Sequence, residues 1–217
     1  MGGRGAPERS EHEGGAGRQA DAASERRRIV RPPIQRRLRR AFYDRGALEV
    51  APDLLGKVLV GPGVAARLVE VEAYLGADDP GSHGYRGMTP RTEVMFGPPG
   101  FLYVYFTYGM HFCANVVTAP RDKAGAVLLR GAEPLVGRDL MAQRRRGRAD
   151  LCSGPAKLCQ AFGLERSHNG LDLCARNATV YIADDGTGPL PHTITKRIGL
   201  STGRGDELLY RFLAVRS

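Results

Sequence analysis

The sequence predicts an α+β domain: a largely antiparallel, curved β-sheet with flanking helices. Three observations point there. Apolar residues make up 42% of the 217-residue chain, enough for one ordinary core. Strand-like runs follow one another across tight turns more often than they alternate with helical runs, which argues against a doubly wound sheet. No stretch of eighteen or more apolar residues occurs, so no membrane-spanning helix is expected.

Residues 1–33 read as a disordered basic tail. Six Gly fall in the first 17 residues, no apolar period is present, and Arg26-Arg27-Arg28 follows. The folded domain is expected over residues 34–217. Ile34, Leu38, Ala41 and Phe42 recur at helical spacing. Val50 to Leu55 reads as a short helix ending at Gly56. Lys57 to Val60 and Ala65 to Tyr74 read as strands joined by the turn Gly61-Pro62-Gly63. From Gly76 to Gly100 runs a long segment rich in Gly, Pro, Asp and His, with a helical turn at Thr92 to Phe96; so long a loop in a compact domain is usually functional.

Phe101 to Thr107 and His111 to Thr118 read as strands around the turn Tyr108-Gly109-Met110, and Ala124 to Gly131 as a further apolar strand. Leu135 to Arg145 has helical spacing with Pro134 near its start. Ser153 is suited to cap a helix that runs through Phe162 and ends at Gly163. Thr179 to Ala183, Thr193 to Ile198 and Leu209 to Val215 supply the last strands.

The charge bears on partners. Lys and Arg number 32 against 23 acids, a net charge of +9 with a pI near 9.8. Arg dominates and suits forked contact with phosphate, so nucleic acid is the partner class to consider. A basic surface that only aids solubility is the alternative. The first 40 residues hold 11 Arg against 5 acids and carry most of the excess. Such an arm can slide along a polyphosphate without sequence preference, or be an unimportant leader.

Other classes drop out. Cys113, Cys152, Cys159 and Cys174 are too scattered for a disulfide framework and read as reduced thiols of a cytoplasmic protein. No apolar run follows the charges of the N-terminus, so no secretory signal is expected. There is no phosphate-binding loop ending in Lys-Ser or Lys-Thr and no dinucleotide fingerprint. His83 and His111 lack His or Cys partners at ligand spacing, so neither a bound metal nor a dinucleotide is indicated.

Candidate chemistry gathers in the central strands. In a strand, residues two apart share a face, so Glu70, Glu72 and Tyr74 project together. Two carboxylates on one face repel, and one is then held protonated or paired with Arg. A carboxylate leading into the long loop is placed to act as a general base; a solvated face with salt bridges is the alternative. Tyr103 and Tyr105 share the next aromatic face, and Tyr108 stands on the tight turn, where it can wedge into a base stack. An aromatic core cluster is the alternative, the better one for Tyr103. Asn115 in an apolar strand needs polar partners or a ligand. Arg130 ends an otherwise apolar strand and needs a counter-charge, for which Glu72 is the expected partner. Ser153-Gly-Pro-Ala-Lys157 reads as a phosphate-holding helix start or as a plain capped helix.

Taken together these residues resemble a known family. Glu72-Ala-Tyr-Leu-Gly76, the loop to His83, Met95-Phe-Gly-Pro-Pro-Gly100, Leu102-Tyr-Val-Tyr105, Tyr108-Gly-Met110, Asn115, Leu128-Leu-Arg130, Glu133-Pro134 and Cys152-Ser-Gly-Pro-Ala-Lys-Leu-Cys-Gln160 recur in order. The chain resembles the alkyladenine, or 3-methyladenine, DNA glycosylases of the monofunctional type, from about Phe42 to Val215. The resemblance implies an enzyme that flips a damaged purine out of double-stranded DNA and hydrolyses its N-glycosidic bond, leaving an abasic site. It implies Glu72 as the base that activates water, with Arg130 helping to position that water. It implies Tyr74, His83 and Tyr105 as the walls around the flipped base, Asn115 as a gate against the 2-amino group of guanine, and Tyr108 as the wedge. It further implies no metal, no cofactor and a monomer. The segment Gly203 to Tyr210 departs from the family pattern in lacking a Trp, and the chain has none.

Overall fold

The computed structural model describes residues 1–3, 36–107, 109–120 and 123–215. The expected tail, residues 1–33, therefore lies outside the described residues apart from its first three. In chain order the elements are β1 (Arg36–Arg37), α1 (Arg40–Tyr43), α2 (Ala47–Leu54), β2 (Val58–Gly61), β3 (Val64–Tyr74), β4 (Phe101–Thr107), β5 (His111–Thr118), β6 (Gly125–Val136), α3 (Arg138–Arg144), α4 (Pro155–Phe162), β7 (Leu171–Asp172), β8 (Tyr181–Asp184), β9 (His192–Thr195) and β10 (Arg211–Ala214). Short 3-10 turns at Gly76–Asp78 and Glu93–Phe96 punctuate the long loop.

All strand pairings among the described residues are antiparallel, in the order β1-β8-β2-β3-β6-β5-β4-β7. β3 organises the sheet. One edge pairs with β6 along nearly its whole length, from Ala65 opposite Val136 to Tyr74 opposite Ala126. Its other edge is shared: β2 takes Val64 to Arg67, and β10 takes Glu70 to Glu72. Register shifts beside Ala66 and on both sides of Glu70 bend the strand, as bulges do, and the sheet curls around that bend. The α+β fold with a curved antiparallel sheet is the one the sequence predicts.

The core joins the sheet to the helices. Leu59, Leu68, Leu102 and Leu129 from the sheet meet Leu54 of α2, Met141 of α3 and Leu158 of α4, all fully buried. Each such side chain contributes about 1.5–3 kcal/mol by leaving water. Among the described residues no helix is long and apolar enough to cross a membrane.

Four local expectations are corrected. Among the described residues the helix expected from Ile34 through Phe42 is confined to Arg40–Tyr43. Arg36 and Arg37 pair with Asp184 and Ala183, and the Leu38 N–H donates to Ile182 O at 2.9 Å, so sheet hydrogen bonds win over a weak helical period. The helix expected from Leu135 starts at Arg138, because β3 is long enough to pair β6 out to Val136; Pro134 sits opposite Ala66 beside a register shift, where a missing N–H is tolerated. Ser153 does not cap α4. Its backbone bridges Gly131, so Gly154 stands at the cap with Pro155 at the first helical position; the predicted stop at Gly163 is present in left-handed conformation. The strand expected through Ile198 stops at Thr195, where Arg197 is drawn inward as described below.

Candidate active site

A cavity of about 260 Å³ opens beyond the end of β3, between the β4–β5 hairpin, the long loop and the segment after β9. Tyr74, His83, Tyr105, Asn115 and Arg130 all line it. Five of the seven residues singled out from the sequence thus share one pocket. Glu72 lies directly behind its wall. Tyr108 lies outside the described residues; the hairpin that contains it in sequence leaves Phe106 and Met110 exposed on either side.

Glu72 is fully buried, and its three hydrogen-bond partners all belong to the cavity wall. One carboxylate oxygen, Oε2, accepts from the Tyr74 hydroxyl at 2.9 Å and from Arg130 Nη1 at 3.4 Å; the other accepts from the Ile198 N–H at 2.8 Å. Burial pushes the Glu72 carboxyl above the ordinary carboxylate range. The Arg130 charge, the Ile198 N–H and the Tyr74 hydroxyl pull it back without cancelling that push. The result is a carboxylate with enhanced affinity for a proton, which is what a general base requires.

Arg130 has a second and closer partner. Its Nε donates to Glu70 Oε1 at 2.8 Å, and the same oxygen accepts from Arg211 Nε at 2.7 Å. Burial raises the Glu70 carboxyl, but the hydrogen bonds and charges of the two guanidiniums outweigh it and leave the group below the ordinary range. The two carboxylates on one strand face have therefore diverged: Glu70 is held ionised and Glu72 is made basic.

The opposite wall is aromatic. The Tyr103 and Tyr105 rings stack with centroids 5.4 Å apart, and His83 meets Tyr105 edge-on at 4.5 Å. His83 Nδ1 lies 3.1 Å from the Tyr103 hydroxyl. Burial and then the Arg91 charge push the His83 imidazolium down to about 4, so the ring is neutral at pH 7; the side chain is still open to solvent, which moderates the push. Burial holds the Tyr74 and Tyr105 hydroxyls protonated far above neutral pH. Asn115 Nδ2 donates weakly to Tyr103 O at 3.4 Å and otherwise faces the cavity. The pocket is thus a slot walled by neutral, electron-rich rings, with a basic carboxylate behind one side.

Comparisons with known proteins place this geometry. The family model for methylpurine-DNA glycosylase matches residues 41–217. A Burkholderia lata protein is 50% identical over 172 residues, which cover 76% of this chain and 83% of that protein. One from Desulfitobacterium hafniense is 46% identical over 180 residues, 76% and 88% of the two chains. One from Streptomyces avermitilis is 45% identical over 194 residues, 85% and 90%. All three carry the provisional name 3-methyladenine DNA glycosylase. The chain belongs to the methylpurine-DNA glycosylase family. Membership makes it a DNA glycosylase for alkylated bases.

Within this family member the sequence left three parts of the site unread. Arg197 and Asp79 form a fully buried pair with contacts of 2.5 and 2.7 Å, and the Arg197 guanidinium lies 4.6 Å over the Tyr74 ring. Their 118-residue separation gave no local signal; only the rarity of a buried charge marks them. The Ile198 N–H is a backbone group and has no sequence signature. Glu70 is legible as a neighbour of Glu72, but not as the closer partner of Arg130. The expected Arg130–Glu72 contact is present, at the longer distance. Lys157 pairs with Asp150 at 2.5 Å and reaches Ser153 Oγ at 3.1 Å, which fits the plainer reading of that helix start. Among the described residues no group of three or more His, Cys, Asp or Glu is placed to hold a metal ion.

Proposed function

We propose that the protein excises alkylated purines, 3-methyladenine being the type, from double-stranded DNA, acting as a monomer and leaving an abasic site without cutting the strand. The observation that carries this reading is the placement of Glu72: a buried, basic carboxylate directly behind an aromatic-walled cavity of about 260 Å³. The damaged nucleotide is flipped into the slot, and its base is held by the rings of Tyr74, His83 and Tyr105. A purine alkylated to a cation gains about 0.5–2 kcal/mol from such electron-rich faces. Tyr108, which follows β4 in the sequence, fills the gap left in the duplex.

The chemistry needs one base and little acid. Water approaches from the cavity beside Arg130, whose Nη1 contact with Glu72 is long at 3.4 Å and can give way to it. Glu72 takes a proton from it, the water oxygen bonds to the anomeric carbon, and the C–N bond breaks with its electron pair passing to the purine nitrogen. A cationic purine leaves neutral and needs no proton. The Glu72 charge also favours the positive sugar as the bond stretches. Asn115 opposes entry of the 2-amino group of normal guanine.

The test is a duplex carrying a single 7-methylguanine or 3-methyladenine, incubated with the protein and then treated with alkali. Strand breaks at the lesion only after alkali are expected. Breaks before alkali would overturn the monofunctional reading, and lesion binding with no breaks after alkali would make the protein a binding module.

A further inference from the structure

We infer that Glu70 is a positioning residue for this reaction, resting on the reading of Glu72 as the base: it anchors the Arg130 guanidinium from behind and keeps it from closing on Glu72. The geometry is a competition for one cation. Arg130 lies within reach of two carboxylates on the same strand, and it gives its Nε to Glu70 at 2.8 Å while holding Nη1 at 3.4 Å from Glu72. A guanidinium free to choose would fork onto the nearer groups of both oxygens of one carboxylate. Here Glu70 prevents that. Glu72 keeps a loose contact, so a water arriving from the cavity competes with a weak hydrogen bond and not with a closed ion pair.

Two further features of the fold serve the same arrangement. The backbone at Glu70 is bulged, with a register shift on each side, which aims its carboxylate at both flanking strands. Opposite the bulge stands Gly131. A Cβ added there would lie 3.0 Å from Glu70 Cβ and 3.2 Å from Glu70 Oε2, so the residue after Arg130 has no side chain where the carboxylate needs room. Arg211, on β10, holds the same oxygen from the other side. Glu70 borders a second cavity, of about 500 Å³, and not the base slot, so it touches no substrate.

The groups that face Glu72 define the sign of the effect. They are Tyr74 on its own strand, Arg130 from β6, Cys113 from β5, the Ile198 N–H and the Arg197 guanidinium behind Tyr74. Glu70 adds a like charge nearby that makes Glu72 more basic. Replacing Glu70 by Gln removes that charge and frees Arg130 to close on Glu72. Both changes favour ionised Glu72 and weaken it as a base.

The experiment is single-turnover excision of 7-methylguanine as a function of pH for the full chain and five variants. Glu70→Gln is expected to move the acidic limb about one unit to lower pH and to lower the plateau at least tenfold. Glu70→Asp keeps the charge with a shorter reach, so its acidic limb stays in place while the plateau falls. Arg211→Gln leaves Arg130 anchored, so its acidic limb also stays in place. A Glu70→Gln profile with limb and plateau unmoved overturns the inference, as does an Arg211→Gln profile that shifts as Glu70→Gln does, since Glu70 would then act only as a staple between β3 and β10. Circular dichroism melts identify any variant that fails to fold; for that case Gly131→Ala, which crowds Glu70 without removing it, is expected to lower the plateau, and an unchanged rate overturns the inference. Glu72→Gln run alongside separates the two readings: full activity there removes Glu72 as the base, whatever Glu70 does.

Discussion

The Arg197 guanidinium lies 4.6 Å over the ring of Tyr74, and the next residue, Ile198, donates its N–H to Glu72 at 2.8 Å. One buried cation thus fixes both a wall of the base slot and a hydrogen bond on the candidate base. Asp79 holds it there through two contacts, while Ala73 O and Gly205 O accept from the same two terminal nitrogens, Nη1 and Nη2, at 3.0 and 3.1 Å. Asp79 also accepts from the Leu75 and Gly81 N–H groups at 3.2 and 2.9 Å, which shapes the turn that leads to His83.

Breaking that pair from one side leaves a charge stranded where no water reaches it. Asp79→Asn or Arg197→Met is expected to destabilise the fold by about 3–5 kcal/mol. The double variant should cost less than the sum of the two, because no unpaired charge remains. Denaturant unfolding measures all three. Single variants within 1 kcal/mol of wild type would mean the pair is not buried as described.

Glu72→Gln keeps the volume and the Ile198 hydrogen bond but cannot take a proton. Excision should fall by about 10²–10⁴, the usual contribution of a general base. Binding to a duplex with an abasic-site analogue should persist, since the slot is intact. Release of 3-methyladenine at the wild-type rate would remove Glu72 from its role.

The sequence made the sheet legible wherever one strand carried its own signal. β4 and β5 alternate around a Gly turn, and β3 displays its acidic face at period two. Strand ends decided by a partner far along the chain were not legible: β6 runs on to Val136 because β3 is there to pair it, and β9 stops where Asp79 pulls Arg197 inward. The site divides the same way. Tyr74, His83, Tyr105, Asn115 and Arg130 announce themselves as polar or aromatic residues in apolar settings, and the structure brings them together. The supports behind them do not. A salt link across 118 residues and a backbone N–H carry no local pattern, and the preference of Arg130 for Glu70 over Glu72 depends on a bulge.

Asn115 lines the cavity from β5 with one weak internal hydrogen bond. Replacing it by Ala removes the bulk proposed to oppose a 2-amino group. Release of undamaged guanine should rise about tenfold or more, the scale on which a pocket rejects one misplaced group. Excision of 3-methyladenine should change little. An unaltered ratio of the two rates would place the discrimination elsewhere, in flipping or in stacking.

The rings proposed to hold a cationic purine gain from staying uncharged, and His83 is the one of them that can take up a proton. Burial first, then the Arg91 charge, hold its imidazolium down to about 4 against an ordinary value near 6.5. Between those two values the unfolded chain takes up a proton that the folded chain refuses. The contribution to stability is therefore full above pH 6.5 and is lost as pH falls towards 4; because the side chain is open to solvent, that loss is small. The effect on binding is larger, since a charged His83 would stand against a charged base. Arg91→Gln removes one cause of the depression and should raise the titration of His83 as followed by NMR of its ring protons. Affinity for a cationic abasic-site analogue should then weaken below about pH 6 in the variant, while wild type holds its affinity to lower pH. A wild-type His83 that titrates at 6.5 or above would mean that burial in the slot does not keep it neutral, and that the rings of Tyr74 and Tyr105 offset its charge instead.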